Sequence, residues 1–193
     1  MQHGYPINLS VEDRKCVVVG GGAEAALRVG NLLDAGAHVL LVGADPTPAL
    51  EPLQSARLRI EQRGFVESDL DDAWLVVQAS QDAALARRLS QLCAERRLFF
   101  CAVDQPENSS YSHMALARAG SLTLAVATEG RAPALGRKLR EELARLLSEA
   151  HAAEEVERLA QLREQAAPAD RRALLANAVR DVHFTGSLRF KKG

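Results

Sequence analysis

The sequence predicts an α/β protein with a doubly wound parallel sheet, and three features of its 193 residues lead to this class. Short apolar runs alternate with helical segments from the start of the chain to about Asp104. Glycines follow the first of the buried runs at once, where a strand must turn into a helix. Beyond Asp104 helical patterns dominate. Alternating strands and helices joined by right-handed crossovers form a parallel sheet with helices on both faces.

Apolar alternation or a short apolar run marks the strands, and apolar residues three or four positions apart mark the helices. The clearest strand is at residues 16–19, where three consecutive valines predict a strand buried on both faces. The helix that follows it carries Leu27, Leu32 and Leu33 and ends at Gly36. Strands are predicted at residues 5–9 (a short edge strand), 16–19, 38–42, 57–61, 74–79 and 98–103, and further helices at 49–56 and 82–97.

The junction between the first strand and its helix has the spacing Gly20-x-Gly22-x-x-Ala25. In this pattern the first glycine permits a tight turn, the second lets the backbone approach a pyrophosphate, and the alanine lets the helix lie close to the strand. The backbone amides of Gly21, Gly22 and Ala23 would then face the phosphates, which the helix dipole also attracts. The pattern predicts a Rossmann-like domain that binds a dinucleotide. A purely structural glycine turn is the alternative.

The carboxyl ends of parallel strands meet at one edge of a sheet, where ligands of this fold class bind. We therefore expect Gly20, Gly43, Ser80 and Asp104 to gather at that edge. Asp45 is the nearest acidic residue to the position that binds the ribose hydroxyls in such domains. If it has that role, NAD is preferred over NADP, because a 2′-phosphate would meet a like charge. The alternative is a loop aspartate that precedes a proline.

The chain beyond Asp104 follows a different pattern. Residues 105–112 are polar, residues 121–127 alternate as a single strand with no partner nearby, and helices are predicted at 134–149, 152–166 and 169–182. An unpaired strand and an amphipathic helix cannot form a core alone, so we expect a homodimer through about residues 114–148. The predicted domains are a Rossmann-like NAD-binding domain (1–113), a small α+β dimerisation region (114–148) and a C-terminal helical region (149–193).

Composition excludes several classes of partner. The net charge is −1, which argues against nucleic acid as a partner, since such proteins carry a strongly basic face. No apolar run is long enough for a membrane span, and the first residues lack the basic and apolar regions of a signal peptide, so we expect a cytoplasmic protein. The three cysteines, Cys16, Cys93 and Cys101, have no zinc-site spacing and are expected to be buried thiols.

Three groups of residues together resemble one known family, the N-terminal module of sirohaem synthase and the stand-alone precorrin-2 dehydrogenases. The resemblance runs from Tyr5 to about Leu147. Its least specific part is the glycine turn with the leucines and Gly36-Ala37 after it, and its most specific part is the segment that begins at Gly130. The motifs are Val18-Val19-Gly20-Gly21-Gly22, Val103-Asp104-x-Pro106 and Gly130-x-x-Pro133-x-Leu135-x-Arg137-x-x-Arg140-x-x-Leu143.

The resemblance implies NAD-dependent oxidation of precorrin-2 to sirohydrochlorin in sirohaem synthesis, and some members also insert ferrous iron as a ferrochelatase. The family's general base falls on Asp104, and its cofactor contacts include the backbone around Gly43 and Ala44. Taken without the resemblance, Asp104 could equally end a strand and cap its loop. A homodimer with a tetrapyrrole substrate is implied as well.

Four residues are candidates for substrate binding. Thr128 occupies the place of a serine in the family's turn, and capping the next helix is its alternative role. Arg131 and Arg137 could bind substrate carboxylates through forked hydrogen bonds, or form a solvated face with neighbouring glutamates. His113 could act as an acid-base group or receive iron, although a lone histidine is more often structural. No stable metal site is predicted.

Several residues depart from the family's pattern. Only Arg28 remains of the family's Arg-Lys pair, and Cys101 replaces an asparagine. Glu129 replaces a glycine of the family's turn, and its negative charge would repel a polycarboxylate substrate. These departures favour the alternative of a non-catalytic dimer that binds a nucleotide or a tetrapyrrole. A dehydrogenase for a different substrate is a third hypothesis, because fold does not fix function.

Overall fold

A computed structural model describes residues 4–43 and 48–185, and the chain divides into two compact units, Met1–His113 and Met114–Gly193. The first unit holds five strands and two helices among its described residues. These are β1 (Lys15–Val19), α1 (Gly22–Asp34), β2 (His38–Val42), β3 (Leu58–Glu61), β4 (Ala73–Gln78), α2 (Ala83–Arg96) and β5 (Phe99–Ala102).

The five strands form one parallel sheet in the order β3-β2-β1-β4-β5. The chain winds outward from β1 to β3 and then returns to the other side of β1, so the order reverses between β1 and β4. Right-handed crossovers therefore place α1 on one face and α2 on the other. The prediction of a doubly wound α/β sheet is confirmed.

Two apolar cores lie on the two faces of the sheet, because successive side chains of a strand point to opposite faces. Val18 and Leu41 belong to the core beneath α1, whereas Val17 and Val42 belong to the core beneath α2. All four are almost fully buried, which accounts for the unbroken apolar runs in the sequence.

Two local predictions in the first unit change. The edge strand at residues 5–9 is wrong: the described residues 4–10 form no strand, and Tyr5 and Ile7 stay exposed with no apolar surface to hold them at a sheet edge. The short helix at 49–56 is a 3₁₀ turn at Pro48–Leu53. Its interior proline, Pro52, lacks the amide that an α-helix would need there.

The second unit consists of β6 (Ala115–Ala119), β7 (Leu122–Val126), α3 (Pro133–Glu149), α4 (Ala152–Gln165) and α5 (Arg171–Ala178). The prediction that residues 121–127 form an unpaired strand is wrong, because β7 pairs with β6 in an antiparallel hairpin. The tight turn at Gly120, with φ +55°, makes this pairing possible. α3 packs against both strands, and α4 packs against α3 and β7.

Candidate functional site

The glycine turn joins β1 to α1 and is held by close backbone contacts. Gly20 has φ +135°, and a Cβ atom there would lie 2.9 Å from the carbonyl carbon of Ala79. Gly20 also donates its N–H to the carbonyl oxygen of Val42 at 2.9 Å, and Ala79 donates to that of Val19 at 2.8 Å. The ends of β1, β2 and β4 therefore meet at the edge where the sequence places Gly20, Gly43 and Ser80.

The amino end of α1 is open and has no side-chain cap. Gly21 is the N-cap residue, and among the described residues no side-chain cap accepts a hydrogen bond there. Gly22 has φ +73° and no atom within 4 Å of the position of a Cβ. Uncapped amides, the positive end of a 13-residue helix and an unobstructed approach suit a pyrophosphate. These residues fit a dinucleotide.

One acidic side chain lies in the first turn of α1, where it would repel phosphate. Arg28 neutralises it, because Nε of Arg28 donates to Oε1 of Glu24 at 2.7 Å. Arg28 is half-buried on α1, and its neutralisation of Glu24 was not predicted from the sequence. Of the predicted cofactor residues, Gly20, Gly21, Gly22, Ala23 and Gly43 are described at this edge, whereas Ala44 and Asp45 lie outside the described residues.

Asp104 lies in the turn directly after β5, at the same edge of the sheet. Because β4 separates β5 from β1, its backbone is about 10 Å, two strand spacings, from the glycine turn. Asp104 is exposed and has φ +60°, a left-handed conformation that aspartate tolerates. Five other described non-glycine residues share a positive φ, so the conformation alone does not mark a catalytic residue.

The turn of Asp104 is fixed by hydrogen bonds on both sides. Val103 donates its N–H to the carbonyl oxygen of Gln78 at 2.9 Å, which ties the turn to β4. Ser110 donates its N–H to the carbonyl oxygen of Phe100 at 2.8 Å, and Ser109 Oγ accepts from the N–H of Ala102 at 3.0 Å. These serines provide hydrogen-bond partners for the backbone groups on the outer edge of β5. The polar run after Asp104 therefore has a structural role.

His113 lies at the end of the first unit, with its ring edge-on to Tyr111 at a centroid distance of 5.2 Å. The residue is exposed as a whole, but burial of its ring and then the positive charge of Arg28 lower its pKa to about 4. At neutral pH the ring is therefore uncharged and can donate or accept a hydrogen bond, but it holds no transferable extra proton. The hydroxyl of Tyr111 is buried with no hydrogen-bond partner among the described residues.

The other predicted substrate residues belong to the second unit. Thr128 is half-buried beside Gly136, and its carbonyl oxygen accepts the N–H of Arg131 at 2.9 Å. The alternative role of Thr128 as a helix cap is wrong, since α3 begins at Pro133 with Ala132 as its N-cap and without a side-chain cap. Arg137 is exposed and makes no ion pair with any residue that the structure describes.

The described residues contain no candidate metal centre, and a cleft at the opposite end of the sheet indicates no particular ligand. Among residues 4–43 and 48–185, no three His, Cys, Asp or Glu side chains converge closely enough to hold a metal ion. A shallow cleft of about 360 Å³ lies at the amino ends of β1 and β4, the end of the sheet opposite the glycine turn. In this cleft the guanidinium carbon (Cζ) of Arg14 lies 3.9 Å from the centroid of the Trp74 ring. The walls of the cleft carry both acidic and basic side chains, which favour no particular ligand.

The sequence profile of an NAD(P)-binding family matches residues 7–115, more than half of the chain. Siroheme synthase 2 of Klebsiella pneumoniae is 35% identical over 148 residues, which is 76% of this chain and 32% of that protein. Siroheme synthase of Thioalkalivibrio sulfidiphilus is 38% identical over 141 residues, 72% of this chain and 29% of that protein. The chain thus spans about a third of the length of these curated relatives.

A solved structure titled SirC, precorrin-2 dehydrogenase, has the same fold. It superposes with a TM-score of 0.77 at 22% identity, covering 92% of this chain and 90% of that chain. Within the described residues, no helix combines the length and the apolar character needed to cross a bilayer.

Proposed function

This chain belongs to the NAD(P)-binding family that matches residues 7–115, and we propose that it is an NAD-dependent dehydrogenase that oxidises precorrin-2 to sirohydrochlorin in sirohaem synthesis. A nicotinamide cofactor follows from the family. The sirohaem pathway is supported by the siroheme synthases that resemble most of the chain, and precorrin-2 by the name of the solved structure that has this fold. The choice of NAD over NADP rests on Asp45, whose charge would oppose a 2′-phosphate. The observation that carries the proposal is the open, uncapped amino end of α1 on the same sheet edge as the turn of Asp104.

Different residues of the first unit bind the cofactor and transfer the proton. The amides of Gly22 and Ala23 bind the pyrophosphate, and Gly20 and Gly43 keep the strand ends free of side chains. NAD, when bound, accepts a hydride from the substrate. Asp104 takes the proton that the substrate loses, and its exposed position lets the carboxylate meet a large tetrapyrrole.

The substrate carries many carboxylates, and cationic side chains bind such groups best. We propose that Arg131 and Arg137 of the second unit bind substrate carboxylates and that the hydroxyl of Thr128 donates to one. His113, uncharged at neutral pH, contributes a hydrogen bond in the first unit. Ferrous iron is a second substrate: sirohydrochlorin, formed by the oxidation of precorrin-2, takes up Fe²⁺ and releases two pyrrole N–H protons.

We further propose a homodimer formed through about residues 114–148. Because β7 pairs with β6, the dimer cannot be inferred from an unpaired strand, but a two-stranded sheet still has two open edges. Leu116 on β6 is 37% exposed on the face away from Ala117, the buried residue of that strand. A second copy that covers this face would bury Leu116 and stabilise the hairpin further. We also propose that the protein acts in the cytoplasm, because buried, unpaired thiols are typical of a reducing compartment.

The test is a spectrophotometric assay of NADH formation with precorrin-2, with and without ferrous iron. Asp104→Asn should lower kcat by about 100-fold or more while NAD binds as before, because a general base contributes about 10²–10⁴-fold. Asp72→Asn is the matched control, since Asp72 is also an exposed left-handed aspartate but lies at the other end of the sheet. Undiminished activity of Asp104→Asn would exclude this base.

A second candidate function is a non-catalytic dimer that binds a nucleotide or a tetrapyrrole. The exposed Glu129, in a turn with φ +51°, favours it because its charge opposes a polycarboxylate substrate. NAD binding without turnover of precorrin-2, together with tight tetrapyrrole binding, would select this function. Turnover of a different substrate with NAD would instead select a dehydrogenase of other specificity.

A further inference from the structure

We propose that Gln78 is a positioning residue whose buried amide fixes the loop 79–82 against the glycine turn and thereby sets the affinity for the dinucleotide. This inference rests on the proposed function of the glycine turn. Gln78 ends β4, between Val19 of β1 and Ala102 of β5, and is fully buried. Burial of an amide in this apolar core costs free energy, so its hydrogen bonds decide what it does.

The side chain of Gln78 holds two points of the loop that joins β4 to α2. Nε2 donates to Oγ of Ser80 at 2.9 Å and to the carbonyl oxygen of Asp82 at 2.8 Å. The carbonyl of Asp82 fixes the orientation of the amide, because only the Nε2 side can donate to it. Asp82 in turn caps α2, where Oδ1 accepts from the N–H groups of Ala84 and Leu85.

The loop that Gln78 holds forms a wall of the glycine turn. A Cβ atom on Gly20 would lie 2.9 Å from the carbonyl carbon of Ala79 and 3.1 Å from the nitrogen of Ser80. A shift of this loop therefore changes the space at the turn directly. Because Oγ of Ser80 accepts a hydrogen bond from Gln78, the hydroxyl hydrogen of this half-buried serine stays available to donate to a ligand oxygen.

The oxygen of the same amide makes it possible to test the positioning role of Gln78 separately from its effect on stability. Oε1 of Gln78 is buried and has no donor among the described residues. A buried acceptor without a partner lowers stability, which offsets what the two Nε2 bonds contribute. Methionine has a similar shape and leaves no unpaired oxygen in the core. Gln78→Met should therefore change stability little while it releases the loop.

The experiment is a titration of NAD and NADP by calorimetry, with the melting temperature and steady-state kinetics of each variant. In Gln78→Met we expect Kd and KM for the nucleotide to rise about tenfold, the size of effect that a lost pre-organised contact has. We expect kcat at saturating nucleotide to stay within about twofold, because the contact is made before and during reaction alike. Ser80→Ala should also raise Kd, because it removes one of the two hydrogen bonds from Gln78 and the hydroxyl that can donate to the ligand, while Asp82 still anchors the loop.

Val76→Ala is the matched control. Val76 is fully buried on the same face of β4, and its side chain has no polar group that could hold the loop. Its truncation should therefore lower the melting temperature and leave Kd unchanged. Should Gln78→Met fold poorly, Gln78→Asn gives the same comparison, because its shorter amide cannot reach both Ser80 and Asp82. An unchanged Kd, or a rise in Val76→Ala as large as in Gln78→Met, would overturn this inference alone. Failure of the wild-type protein to bind either nucleotide would overturn the proposed function and this inference with it.

Discussion

Gly43 passes so close to Gly20 that a Cβ atom on Gly43 would stand 2.1 Å from the carbonyl oxygen of Gly20. The neighbour is main chain within a hydrogen-bonded turn, so it cannot move aside as a flexible side chain would. We expect Gly43→Ala to lower the free energy of unfolding by about 2 kcal/mol or more, because the strand ends must separate. Urea unfolding measures this. Gly64→Ala, with no atom within 4 Å of its Cβ position, is the control, and equal losses in the two variants would contradict the explanation.

Gly22 is different, because a side chain there meets no protein atom. We expect Gly22→Ala to cost about 1–2 kcal/mol of stability through its φ of +73° and to weaken NAD binding by at least about tenfold, since the added methyl group stands where the pyrophosphate approaches. Gly130→Ala is the matched control: it has the same φ of +73° and equally open surroundings in the second unit. NAD affinity that falls equally in both variants would show that strain, not access, is responsible.

Arg137 and Lys138 are adjacent on α3 but differ in their partners. Lys138 pairs with Glu142 at 2.7 Å, whereas Arg137 pairs with no described residue. We expect Arg137→Ala to raise KM for the tetrapyrrole by about tenfold with little change in kcat, the pattern for an interaction made equally in ground and transition states. Lys138→Ala should change neither constant. A drop in kcat for Arg137→Ala at unchanged KM would contradict a binding role.

Asp69 provides a test of pH-dependent stability. Its carboxylate is 4% exposed and accepts two hydrogen bonds from Arg63, at 2.7 and 2.9 Å, and one from the N–H of Val66. The hydrogen bonds from Arg63 lower the pKa of Asp69 more than burial raises it. Since the unfolded carboxyl titrates near 3.9, this stabilisation is present above about pH 4 and is lost as the pH falls through the lower folded value.

The corresponding variant is Asp69→Asn, measured by urea unfolding at pH 7 and pH 3. At pH 7 we expect a loss of about 1–2 kcal/mol, discounted because Arg63 is partly exposed, and a smaller difference from wild type at pH 3. Asp71→Asn is the control, because Asp71 forms an exposed pair with Arg96 at 3.0 Å and should cost less than about 0.5 kcal/mol. A difference that grows at low pH would reverse the assigned sign.

Local patterns were sufficient to predict the sheet and the glycine turn. Three consecutive valines before Gly20 identify a buried strand, because strands covered on both faces are near-continuous apolar runs. The position of Asp104 at the same edge followed from strand polarity alone. The strand at residues 5–9 failed for the opposite reason, since alternation does not show whether an apolar surface lies within reach of Tyr5 and Ile7.

Two features could not be predicted because their local patterns are ambiguous, namely the strand β6 and the role of Gln78. β6 has small residues and an arginine, Ala115–Ala119, which do not signal a strand until β7 is seen beside it. Gln78 lies within the apolar run 74–79, which predicts a strand and indicates nothing more about this residue. Its importance depends on where Nε2 points, and periodicity carries no information about the direction of one side chain.

By itself the sequence determined the class of fold and the position of the sharp turn at Gly20, because glycine conformation and apolar periodicity act over a few neighbouring residues. It also determined which charged residues are present as candidates for a functional role. Only the tertiary structure decided that α1 begins without a cap, that Arg28 neutralises Glu24, that the pKa of His113 lies below its usual range, and that Gln78 joins the loop 79–82 to the end of β4. Each of these depends on burial and on hydrogen-bond geometry, which exist only once the chain has packed.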